Sequence, residues 1–69
     1  MPKKVAAILA ARSLSQLISD FEVTEAMRGE DVPTVRGWLM DELERRNPKA
    51  FETWLDEGYA DSPRAYFIR

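Results

Sequence analysis

The chain has 69 residues and a formal net charge of −2, with 45% hydrophobic and 32% charged residues. This is globular composition, sufficient for one domain with a small core. The slight negative balance offers no overall basic field for nucleic acid. Cysteine and histidine are both absent. That excludes disulfides and thiolate chemistry, removes the commonest general base and metal ligand, and fits a cytoplasmic setting. A core of this size calls for very good packing or dimerisation.

Residues 1–12 carry Lys3, Lys4 and Arg12 with no acid, around the apolar run Val5-Ala-Ala-Ile-Leu-Ala-Ala11. The run is short, Arg12 follows it directly, and no small-residue cleavage site comes next, so a signal peptide is disfavoured. An ordinary helix is the expected reading, with a surface-active amphipathic helix as the alternative. Nothing in the sequence is long and apolar enough to span a bilayer.

Ser13-Leu-Ser-Gln16 has the spacing of a capping box. Beyond it Leu14, Leu17, Ile18 and Phe21 share one helical face, whereas Val5, Ile8, Leu9, Val23 and Met27 fall on the opposite one. Two arrangements satisfy this pattern. The helix breaks near Ser13 and the first segment folds back, or one long helix buries one face and offers the other to a partner. Gly29 is the expected C-terminal cap, and Glu30-Asp31-Val32-Pro33 a short connector.

The central helix is expected over Val32 to Arg46. Val35, Leu39 and Leu43 form the middle of its apolar face, with Met40 and Trp38 on the two flanks. An arc this wide implies two neighbouring helices. Arg36, Glu42 and Arg46 border it. Asp41–Arg45 and Glu42–Arg46 have acid four residues before base, worth about 0.2–0.5 kcal/mol each.

Asn47-Pro48 supplies an N-cap and a first-turn proline for the next helix, whose stripe is Phe51, Trp54 and Leu55, with Gly58 at its end. The tail, Tyr59 to Arg69, repeats this logic at Ser62-Pro63, predicting a single turn of helix from Pro63 to Phe67. There, Tyr66 and Phe67 either close the core beside Trp38 or stand ready to dock a partner.

Catalytic chemistry finds little support. Asp20, Glu22, Glu25, Glu30 and Asp31 lack the spacing of a metal loop and read as a solvated acidic face. The serines have no histidine to activate them. No cofactor, metal or catalytic residue is expected. A helix-turn-helix reading of the two helices joined at Asn47 would send the second into the major groove. Its outer face, Lys49, Glu52, Thr53, Asp56 and Glu57, carries one base against three acids. Phosphates would repel that face, so nucleic acid is the less favoured partner. Phe51 and Trp54 have the phase of core residues. Val5, Ile8, Leu9, Trp38, Tyr66 and Phe67 are the candidate partner surface.

The run from Val32 to Leu55, VPTVRGWLMDELERRNPKAFETWL, together with Ser62-Pro-Arg-Ala-Tyr-Phe67, resembles small uncharacterised proteins of actinobacteria and their phages. It covers about the last half of the chain. The resemblance implies a cytoplasmic accessory protein and brings no binding residues with it. The expectation from the whole sequence is a single all-α domain over residues 1–69, of three principal helices and a short C-terminal helical turn. Its expected role is protein interaction or regulation, through a protein partner or a homodimer, with a helix-turn-helix nucleic-acid-binding protein as the alternative.

Overall fold

The helical pattern that starts at Lys3 is interrupted at Ser13. In the computed structural model, which describes residues 1–58 and 60–68, α1 spans Lys3–Ala11 and α2 spans Leu14–Thr24. Arg12 and Ser13 are both extended, with ψ of 147° and 160°. Ser13 makes the full capping box: its Oγ accepts from the Gln16 amide at 3.1 Å, and its own amide donates to Gln16 Oε1 at 2.9 Å. Two otherwise orphaned donors at the start of α2 are thereby satisfied. Of the two arrangements open to the sequence, the break is the one observed. Three principal helices therefore become four.

The Gly29 cap is also corrected. α2 stops at Thr24, and the amides of Glu25, Ala26 and Met27 reach back only three residues, to the carbonyls of Glu22, Val23 and Thr24. The helix tightens and ends a full turn before Gly29. Gly29 instead sits in the connector with φ 141°, a conformation that L side chains rarely adopt.

α3 spans Val32–Arg46, with Pro33 in its first turn. Asn47 then serves two helices at once. Its amide donates to the Leu43 carbonyl, its carbonyl accepts from the Phe51 amide, and its Oδ1 accepts from the Ala50 amide at 3.0 Å. α4, Pro48–Glu57, starts with no spacer at all. The final element is a single turn, α5, Arg64–Phe67, close to the Pro63–Phe67 turn expected. Tyr59 and Arg69, at the ends of the tail, lie outside the described residues.

α3 is the hub, packing against α1, α2 and α4, one neighbour more than its apolar arc implied; α5 packs on α4. The result is a compact all-α globule of 28 × 25 × 17 Å, without strands among the described residues. Its core centres on Trp54, which is fully buried with Leu17, Ile18 and Leu43. Phe21 and Phe51 meet the indole edge-to-face at centroid distances of 5.4 and 5.8 Å, the arrangement that aromatic quadrupoles favour. The indole N–H donates to the Asp61 carbonyl at 3.0 Å. Leu55, expected in this stripe, is 40% exposed.

Gly58 ends α4 at a buried position under the tail. A Cβ placed there would overlap the hydroxyl end of the Tyr66 side chain, 2.6 Å from its Cζ. The glycine is required by that close approach and not by its own φ of −143°.

Candidate partner groove

α1 settles onto α3 through Leu9, which is buried, and Val5, which is half-buried against the same core. Its C-terminal carbonyls are held from α3. Arg46 Nη2 donates to the carbonyls of Leu9 at 2.9 Å, Ala10 at 3.3 Å and Arg12 at 2.6 Å. A cation on the terminal carbonyls satisfies acceptors that the broken helix leaves open and matches the helix dipole. Arg12 in turn binds Asp20 on α2 with two guanidinium nitrogens. α1 is thus tethered at one end and leaves Ile8 62% exposed.

A groove lies between α1 and the end of α2, with α3 as its floor. Leu9, Val35 and Leu39 line it, and Ile8, Val23 and Met27 stand on its rim with Arg12 and Asp20. It continues along α1 to an apolar patch of Val5, Ile8 and Trp38. Val23 and Met27 are 60% and 50% exposed. These large exposed hydrophobics are the residues whose helical phase opposed the α2 core face. Folding back at Ser13 brings Ile8 to the same groove as Val23 and Met27.

Of the six residues in the candidate partner surface, Val5, Ile8, Leu9 and Trp38 line this one patch. Tyr66 and Phe67 do not join it. They are half-buried against the core and line a separate cleft with Asn47, Lys49, Ala50 and Thr53 on α4. Val23, Met27, Val35 and Leu39 complete the groove. The shared phase of Val23 and Met27 with Ile8 was the signal for two of them. Nothing local in the sequence marked Arg46 as the residue that holds α1.

The acidic residues are more engaged than a solvated face would be. Asp20 pairs with Arg12, Glu22 with Arg64, and Glu25 with Arg36 at 3.4 Å. Arg36 also lies over the Phe21 ring at 4.3 Å and donates to Thr24 Oγ1 at 2.7 Å. Glu30 and Asp31 are exposed. Glu42, expected at the border of the α3 face, is 3% exposed and receives both Arg45 and Arg46. Arg45 therefore pairs three residues back with Glu42, in place of the expected pairing with Asp41. Hydrogen bonding from Arg45, with Arg46 adding to it, lowers the Glu42 pKa to about 2 against the opposing effect of burial.

Among the described residues no acidic cluster could hold a metal ion, and no helix is long and apolar enough to cross a membrane. On the outer side of α4, Lys49, Glu52, Asp56 and Glu57 are all exposed. That face is acidic where a recognition helix would be basic. Family models, curated proteins and solved structures all return no match to this chain.

Proposed function

We propose that this chain is a small protein-interaction or regulatory module, acting by binding and not by catalysis. In keeping with the resemblance of its C-terminal half, we place it among cytoplasmic accessory proteins of bacteria or phages. The supporting observation is the apolar groove rimmed by Ile8, Val23 and Met27. Large apolar side chains gathered around one concavity gain most when a partner's apolar side chains cover them. The groove suits the apolar stripe of a partner helix, whose i, i+3, i+4 spacing matches such a trough. Ile8→Glu and Met27→Glu place charge on the rim with little effect on the fold, because both side chains are already in water. Affinity capture from the native cell, comparing wild type with these two variants, tests the reading. A protein retained by wild type and lost from both variants supports it; identical capture by all three sinks it.

A further inference from the structure

We propose that two copies of this chain exchange α1, using Arg12–Ser13 as the hinge, to form a reciprocal dimer in which residues 3–24 become one continuous helix. The rearrangement is confined to two torsions of the hinge. Arg12 and Ser13 already have φ of −83° and −68°, within or near the scatter of an α-helix, so two ψ rotations separate the broken form from the straight one. No glycine or proline interrupts residues 3–24, and α1 is rich in alanine, the strongest helix former.

Straightening forces α1 onto a second copy. In a continuous helix Val5, Ile8 and Leu9 point away from the face of Leu14, Leu17, Ile18 and Phe21. Leu17, Ile18 and Phe21 are buried in the core, so they fix the orientation of α2. α1 then projects outward and cannot return to its own α3. The vacated surface around Val35, Trp38 and Leu39 is filled by the α1 of the other copy, with the contacts that Leu9 and Val5 make in the monomer. Short hinges joining a detachable element are the usual setting for such exchange.

Three devices oppose it, the first being the Arg12–Asp20 ion pair, whose partners a straight helix holds about 12 Å apart along its axis. The capping box rewards the break at Ser13. Arg46 occupies the carbonyls of Leu9, Ala10 and Arg12, which in a straight helix accept from the amides of Ser13, Leu14 and Gln16. The monomer is therefore the dilute form, and exchange grows with concentration and with loss of the cap. The inference does not depend on the partner groove, because Ile8 is exposed whichever copy supplies α1.

Sedimentation velocity over a range of concentrations, after refolding from denaturant, tests the exchange in wild type, Ser13→Ala, Ser13→Pro and Ile8→Glu. Removing the cap in both copies is expected to raise the dimerisation constant by about tenfold or more. Proline fits the backbone of the broken form, since Ser13 has φ of −68° and Arg12 is extended; it gives up both capping-box hydrogen bonds but breaks a continuous helix. Ser13→Pro is expected to stay monomeric, with helical circular dichroism verifying its fold. Ile8→Glu is expected to dimerise as wild type does. In dimers of mixed isotope-labelled and unlabelled wild type, nuclear Overhauser contacts are expected between α1 of one copy and α3 of the other. Monomers at every concentration for wild type and Ser13→Ala overturn the proposal, as does a dimer lacking those contacts. A dimer abolished by Ile8→Glu yet intact in Ser13→Pro also overturns it, and assigns association to the groove instead.

Discussion

Arg64 grips Glu22 with a two-nitrogen fork across 42 positions of sequence: Nε donates to Oε2 at 3.0 Å and Nη2 to Oε1 at 2.8 Å. Ser62 Oγ donates to the same carboxylate at 2.7 Å. One acidic side chain on α2 therefore fastens the start of the tail, where Pro63 is buried. The tail is part of the folded unit, as the closure reading of Tyr66 and Phe67 required, although its cleft is formed with α4.

Acid should loosen this fastening. The Arg64 and Ser62 hydrogen bonds lower the Glu22 pKa from 4.5 to about 2, and Glu42 is also lowered to about 2, chiefly by the Arg45 hydrogen bond with Arg46 adding to it. A carboxylate with a depressed folded-state pKa contributes stability above its unfolded value and loses it as pH falls through the folded one. The melting temperature is expected to hold above pH 4.5 and to decline between pH 4.5 and about 2. Glu22→Gln and Glu42→Gln should each lower the plateau and flatten the decline. Thermal melts at stepped pH check this; a profile unchanged by either substitution refutes the assignment.

The Trp54 indole, fully buried between Phe21 and Phe51, is the most costly side chain to remove. Trp54→Ala is expected to cost about 3–5 kcal/mol, a large part of the stability of so small a domain. Trp38, half-buried at the groove, should cost distinctly less. Chemical denaturation of both variants compares them, and equal losses would show that Trp54 is not the centre of the core.

Arg46 holds α1 by carbonyls rather than by side chains. Arg46→Leu, which also takes one of two arginine partners from the buried Glu42, is expected to raise amide exchange most along α1 while α4 keeps its protection, because α1 buries only Leu9. Hydrogen exchange followed by mass spectrometry reads both helices in one experiment. Uniform change across the chain would mean that α1 unfolds only with the whole.

Gly58 and Tyr66 form a coupled pair. Gly58→Ala drives a methyl against the hydroxyl end of Tyr66, which must shift, and is expected to cost about 1–3 kcal/mol. In a Tyr66→Ala background most of that cost should vanish. A double-mutant cycle measures the coupling; additive losses would contradict the close approach.

The helical class, the capping box at Ser13, the Asn47-Pro48 restart and the tail turn were all legible, because each is written in neighbouring residues. The break itself was one of two readings, since the face reversal between Leu9 and Leu14 fits either. Beside the local capping box, a remote residue supports the break: Arg46, on a different helix, provides for the carbonyls that breaking exposes. The early end of α2 escaped notice because no glycine or proline lies between Thr24 and Met27 to mark it. The groove was half legible. Helical phase grouped Ile8 with Val23 and Met27, but only packing separated them from Tyr66 and Phe67.

Because Asn47 ends α3 and begins α4 with no residue between, the joint has no slack. Inserting one residue there would separate the two caps that Asn47 makes at once and move α4 from the position that seats Trp54 in the core. The connector at residues 25–31 is mostly exposed and carries no buried side chain, so it can absorb a residue without rotating either helix. Among natural variants of this chain, length differences should collect between α2 and α3, while the spacing from Leu43 to Trp54 stays constant.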